Sequence, residues 1–247
     1  MTGFSNYEDR MATVGRPLAD TVMKRILTLS LCLLGGIAGA ETWHVDNLSG
    51  SDAQDGLGPD RAFQTIARAI KSAKVSDTLV LADTGVPYRE PITLARLGGT
   101  PAKPFTIEGN GAVLSGLRAI PRGDWERRDD GVYEISGPRP YGFPTLMIDG
   151  RPTAAGNPGN LQPGQWAWPR KPDSKREGVL RFRPAAGKTP DDYRLEGTLG
   201  VSGLQVSSSS YVVVRNLICE FHSNDGFNIH GDCRGIVGEN LEGRFHG

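Results

Sequence analysis

Near its C-terminal end the chain repeats itself, and a repeat of this kind leaves few folds open. Val213-Val-Arg-Asn-Leu-Ile-Cys-Glu-Phe-His222 lines up with Val237-Gly-Glu-Asn-Leu-Glu-Gly-Arg-Phe-His246 at an offset of 24 residues, and five of the ten positions are identical. One residue out of step, Gly203-Leu-Gln-Val206 lines up with Gly226-Phe-Asn-Ile229, with apolar residues at the second and fourth places of both. A single coil of short strands cannot bury its own apolar face. Coils stacked in parallel can, because like residues then lie over like at the strand spacing of ~4.8 Å and build continuous apolar columns. The repeat therefore predicts an all-β chain wound as a parallel β-helix. It places Asn216 over Asn240 at a corner, where Asn tolerates left-handed backbone and bonds neighbouring amides.

The front of the chain agrees. The 247 residues include 33 Gly and 17 Pro, about a fifth of the total, which suits short strands and turns better than a helical bundle. Thr42-Trp-His-Val45 reads as a first strand, and residues 46–59 as a turn-rich loop. Asp60 can cap a helix over 61–74, with Phe63, Ile66, Ile70 and Ala73 on one face. Short strands follow at 79–81, 92–94, 105–107 and 112–114, punctuated by glycines. An amphipathic helix laid across the first coil would cover its bare strand edge and its apolar end.

The residues that carry this front half also carry a family likeness. Gly50-Ser-Asp-x-x-Asp-Gly56, Ala62-Phe-Gln-Thr-Ile66, Asp77-Thr-Leu-Val-Leu81 and Tyr88-Arg-Glu90 resemble the N-terminal cap of right-handed parallel β-helix proteins of the pectate-lyase-like superfamily. With residues 201–247, the resemblance spans most of the mature chain. It implies a right-handed parallel β-helix with an N-terminal capping α-helix. It does not choose a reaction, since this architecture carries lyases, hydrolases and binding proteins.

Residues 121–200 break the rhythm. Segments 132–135, 146–148 and 179–183 read as antiparallel strands, and 154–178 as Pro- and Gly-rich loop. The expected organisation is a cap with first coils over 41–120, a small antiparallel β insertion over 121–200, and further coils over 201–247. The segment loosely resembles the β-sandwich insertion of some β-helical glycosidases, xylosidase-like ones among them. Trp166 and Trp168, two apart, share a face if they lie on a strand. They read either as core residues of the insertion or as a platform that stacks on sugar rings. Gly247 falls where another turn would begin, so the chain is expected to be an incomplete piece of the stack and poorly soluble alone.

Residues 23–40 read as a secretory signal peptide. Met23-Lys24-Arg25 is a positive start, 26–37 an apolar run, and Ala38-Gly39-Ala40 a small-residue cleavage site. The run is shorter than the ~20 residues that span a bilayer, so no membrane span is expected. Leu31 before Cys32 does not suit a lipid anchor, and residues 1–22 read as a non-native leader ahead of the better start at Met23. Export to the periplasm or beyond would permit a bond between Cys219 and Cys233, though their places in the repeat are not equivalent. Acidic and basic residues balance at 28 each, with no basic block, so no nucleic-acid partner is indicated.

Candidate chemistry gathers in Ser223-Asn-Asp-Gly-Phe-Asn-Ile-His-Gly-Asp232. On a strand Phe227 and Ile229 face inward, and Asn228 and His230 face outward together. Asp225 and His230 are the candidate catalytic pair, because a carboxylate can act as acid or base and an imidazole can shuttle a proton near neutral pH. Asn224, Asn228 and Asp232, with Trp166 and Trp168, are candidate substrate-binding residues. Asp225-Gly226 can equally be an ordinary turn, as at Asp130-Gly131 and Asp149-Gly150. The Asn-Asp-Gly step resembles the Asn-Thr-Asp-Gly step of polygalacturonase-type hydrolases, without its Thr and without the paired aspartates expected one coil later. The expected function is that of an exported, monomeric carbohydrate-active protein taking a polysaccharide or oligosaccharide, as a polysaccharide lyase or a glycoside hydrolase. The alternative is a non-catalytic glycan-binding scaffold. β-Elimination on an acidic polysaccharide would call for a divalent cation such as calcium. Hydrolysis would call for two carboxylates at a set separation. No metal site is assigned. His222 and His246 repeat without further ligands, and Asp46, Asp52 and Asp55 lack the downstream Glu of a calcium loop.

Overall fold

The computed structural model describes residues 39–246. The leader 1–22 and the signal peptide up to residue 38 lie outside the described residues, as does Gly247.

The described residues are all-β apart from one short α-helix and two 3-10 turns, and their body is two parallel sheets. In the first, Thr42–Val45, Thr78–Leu81, Phe105–Glu108, Ser210–Glu220 and Arg234–Arg244 lie side by side in that order, with Val113–Ser115 also paired to Ser210–Glu220. In the second, Ile92–Ala95, Ser202–Ser207 and Asp225–His230 lie side by side. From residue 202 onward the chain alternates between the two sheets. The repeat is the stacking register. Val213 lies opposite Val237 and Leu217 opposite Leu241, while Leu204 lies opposite Phe227 and Val206 opposite Ile229. Apolar columns follow, such as Phe105–Val212–Ile236 and Ile92–Leu204–Phe227. The inner members Phe105, Ile92, Leu94, Ile107 and Val206 are fully buried, each worth ~1.5–3 kcal/mol against exposure. The last members are not, and Ile229 is 53% exposed.

The corner built by asparagines is present. Asn110, Asn216 and Asn240 have φ of 53°, 54° and 49°. The Asn240 amide donates to Asn216 Oδ1 at 2.8 Å, Asn216 to Glu108 Oε1 at 2.8 Å, and Asn110 to the Leu81 carbonyl at 2.9 Å. One coil edge further on, Phe221 and Phe245 are also left-handed, and their rings stack at 4.8 Å. Asn216→Ala removes two side-chain hydrogen bonds and forces Ala into left-handed backbone, so it should cost about 2–3 kcal/mol. Asn216→Gly keeps the backbone free and should cost less. Urea melting of the two variants checks the order.

The front cap differs from the sequence expectation. The helix is Ile66–Ser72, and Asp60 lies in a separate 3-10 turn, Pro59–Arg61. Phe63 keeps helical spacing in the sequence, but its backbone is extended. Its N–H donates to the His44 carbonyl at 2.9 Å, and it bridges Val45 in parallel. The helix therefore starts five residues later than expected, at Ile66, and its N-cap is Thr65, whose hydroxyl accepts from the Arg68 N–H. Glu90 supplies the rest of the cap, accepting from the N–H groups of Ile66 and Ala67 at 2.8 and 3.1 Å. The buried face, Ile66 and Ala69, packs against Thr42–Val45 and Ile92–Ala95, the first strand of each parallel sheet. The Asp46 to Asp55 loop is structural. Asp46 accepts from the N–H groups of Leu48 and Ser49, and Asp52 accepts from the N–H groups of Gln64 and Thr65 and from the Thr65 hydroxyl.

Between Gly116 and Gly200 the chain builds two antiparallel sheets. One orders Arg151–Thr153, Leu146–Ile148, Leu195–Thr198 and Leu117–Ala119. The other orders Trp166–Ala167, Glu177–Phe182, Tyr133–Pro138 and Glu126–Arg127. Their core contains Ile120, Leu146, Trp166, Trp168, Leu180, Phe182 and Leu195. The outgoing and returning chain ends are clipped together, with the Gly200 N–H on the Gly116 carbonyl at 2.9 Å.

Candidate functional site

Asp225 opens the outermost strand of the second parallel sheet. It is half-buried, and its Oδ2 accepts hydrogen bonds from the side-chain amides of both Asn224 and Asn228. Two neutral donors on one oxygen fix the carboxylate and leave Oδ1 free of side-chain partners. At the other end of the strand His230 is exposed. Its Nε2 lies 2.7 Å from Gln205 Nε2, and its Nδ1 lies 3.5 Å from Ser207 Oγ. Both ring nitrogens of His230 thus lie within reach of side chains on the neighbouring strand. The strand register sets Gln205 opposite Asn228 and Ser207 opposite His230. The outer face thus carries a polar row that runs Asp225, Asn228, Gln205, His230.

The row does not bring the two candidate catalytic residues into contact. Asp225 and His230 are the first and last residues of a six-residue strand. At ~3.3 Å per residue their backbones are about 16 Å apart, too far for both to act on one bond without a bridging group. Asp232 lies past His230 on an exposed turn, after Gly231 at φ 72°. Trp166 and Trp168 are 2% and 7% exposed, inside the core of the insertion. The Trp166 indole N–H donates to the Thr153 carbonyl at 2.9 Å. Neither indole offers a face to a sugar, and the sugar-platform reading of this pair is corrected to the core reading. Gln205 and Ser207 are members of the row that the sequence reading leaves out. The alignment of Gly203–Val206 on Gly226–Ile229 already puts Gln205 over Asn228.

A second feature ties the row to the insertion. Gly116 N–H donates to the Glu220 carbonyl, Gly200 N–H to Gly116, Ser223 N–H to Gly200, and Phe143 N–H to Ser223, each at 2.9 Å. Four separated stretches of chain are thus laced together directly before Asp225. The Asn224 N–H adds a bond to the Val201 carbonyl at 3.1 Å.

Neither cysteine of the described residues is bonded. Burial pushes the Cys219 thiol up to about 12, and Cys233 donates to the His230 carbonyl at 3.3 Å. Among the described residues no three His, Cys, Asp or Glu side chains cluster closely enough to hold a metal ion. No helix among them is long and apolar enough to cross a membrane.

No family model matches the chain, and no curated protein matches it by sequence. Among solved structures it is similar to XylC in complex with xylose, at a TM-score of 0.54 and 17% identity. That match covers 73% of this chain and 35% of the other, so the chain spans about a third of XylC. It is a likeness of fold. A native GH136 lacto-N-biosidase from Eubacterium ramulus is also matched, over 90% of this chain and 29% of the other, at 13% identity. Its TM-score of 0.38 is too low to carry an argument.

Proposed function

We propose that this chain belongs to an exported carbohydrate-active enzyme, built on a right-handed parallel β-helix, that binds an oligosaccharide along the outer row from Asp225 to His230. The alternation of strands between two parallel sheets, in registers of 24 and 23 residues, supports the β-helix. The signal-like segment 23–40 supports export. XylC, solved with xylose and similar in fold, supports a sugar ligand. The single observation that carries the site is the Asp225 carboxylate, held by Asn224 and Asn228 at the head of an accessible row of hydrogen-bonding side chains. Such a row matches the hydroxyls of a glycan, and a fixed, half-buried carboxylate can act as acid or base on a glycosidic bond.

The test is a glycan panel with the full chain, read as release of reducing ends and as absorbance of unsaturated sugar. Asp225→Ala should lower turnover by about a hundredfold or more. One observation favours a second reading, a glycan-binding scaffold without catalysis. The row holds one fixed carboxylate, and hydrolysis takes two. Binding without any release of product would select that reading, and absence of binding would sink both.

A further inference from the structure

Trp166 and Trp168 are buried, and a different aromatic pair is open to solvent. Tyr141 and Phe143 are 70% and 75% exposed. Among the described residues the other strongly exposed aromatic side chain is Phe245, and that ring is stacked on Phe221. Tyr141 and Phe143 have no such stacking partner among the described residues. A single exposed apolar side chain needs no explanation, but two large aromatic rings exposed two residues apart on one loop form a patch of the kind that marks a binding surface.

Their loop is held in place by backbone. The Phe143 N–H donates to the Ser223 carbonyl at 2.9 Å. Gly142 packs so tightly there that a Cβ would sit 1.9 Å from the same carbonyl oxygen. The two rings flank a glycine pressed against Ser223, two residues before Asp225. The insertion thereby brings the backbone that carries this aromatic pair to the head of the polar row. Aromatic faces suit the C–H faces of a pyranose, while Asp225, Asn224 and Asn228 suit its hydroxyls.

Charge narrows the sugar. Asp225 is engaged by neutral amides, and no Lys or Arg pairs with it among the described residues. The arginine nearest Tyr141 in sequence, Arg139, is spent on the carbonyls of Trp168 and Pro140. A uronate carboxylate placed here would meet the Asp225 charge, which no Lys or Arg at ion-pair distance offsets among the described residues. We propose, resting on the site reading above, that Tyr141 and Phe143 form an aromatic subsite beside Asp225 that selects neutral over acidic oligosaccharides.

The experiment measures binding of the full chain by calorimetry. The probes are neutral xylo- and gluco-oligosaccharides and oligogalacturonate, the last with and without calcium. The variants are Tyr141→Ala/Phe143→Ala, Phe143→Trp and Asp225→Ala. The double alanine variant should weaken neutral-sugar binding by about tenfold or more, with an unchanged melting temperature because both rings are exposed. Phe143→Trp should retain binding. Unchanged affinity in the double variant, with binding lost in Asp225→Ala, would overturn the subsite and leave the row standing. Preference for oligogalacturonate would overturn the neutral-sugar assignment. No binding to any probe, or binding that none of these variants alters, would overturn the subsite and the row together.

Discussion

Gly116→Val should unfold this protein under conditions where the parent is fully folded. A Cβ at Gly116 would lie 2.1 Å from the Phe221 carbonyl oxygen and 2.8 Å from the His222 Cα. Both are backbone atoms of the turn that follows Ser210–Glu220, so no side-chain rotation relieves the clash. The same glycine donates to the Glu220 carbonyl and accepts from Gly200, so a shift also breaks the clip where the insertion leaves and returns. Gly200 faces the mirror problem, since its Cβ would lie 2.8 Å from the Gly116 Cα. A forced separation of two hydrogen-bonded strands belongs to the rare class of single changes above about 4 kcal/mol. That is a large share of the 5–15 kcal/mol that holds a typical domain folded. Gly137→Ala is the control, because nothing lies within 4 Å of its added Cβ. It should stay within about 0.5 kcal/mol of the parent. Thermal melting followed by circular dichroism separates the two. Equal melting temperatures would mean that the two chain ends do not pass backbone to backbone.

The stack was legible in the sequence because stacking makes like residues recur. Asn216 and Asn240 recur because a left-handed corner takes few residue types, and each amide bonds to the strand beside it. The registers of both sheets follow from the same recurrence. The helix start was not legible. Phe63 fits the spacing of Ile66, Ile70 and Ala73, and only its bridge to Val45 on another strand takes it out of the helix. The tryptophan pair shows the limit of alternation. It says which residues share a face, and it is silent on what covers that face. The candidate site divides the same way. Asp225 and Asn228 were legible because they lie on one strand. Tyr141 and Phe143 carry no local signal, because their place depends on a hydrogen bond to Ser223, some eighty positions away by sequence numbering.

Acid should weaken the fold in two separate windows, and the buried histidines set the upper one, with His222 the furthest shifted and His246 and His44 lowered by burial in the same direction. Its side chain is 2% exposed, and its ring lies 5.6 Å from that of His246. Burial pushes its pKa down to about 4, and the neighbouring His246 and Arg118 push the same way. Cys219, whose sulfur lies beside the same Gly203 as the His222 ring, is a neutral thiol and gives no offsetting charge. His246 is itself lowered by burial, with partial compensation from the Cys219 backbone, Asp225 and Glu220. The unfolded chain binds a proton at His222 near its ordinary pKa of ~6.5, and the folded chain does not until about 4. Stability therefore falls as pH drops from ~6.5 towards 4, by about 3 kcal/mol from this group, and levels off below. Carboxylates act lower down. Burial raises Asp52, but its bonds from Thr65 and Gln64 and the nearby Arg68 outweigh that and leave it depressed. Its contribution is complete above the ordinary carboxylate range and is lost only as pH falls below it. Urea unfolding at pH 7.0 and 5.0 reads mainly the upper window. His222→Phe keeps an aromatic ring beside His246 and cannot take a proton, so it should remove the His222 share of the difference between those two pH values and leave that of His246 and His44. A pH dependence as steep in His222→Phe as in the parent would mean that the imidazole is not buried against its partner in the stack.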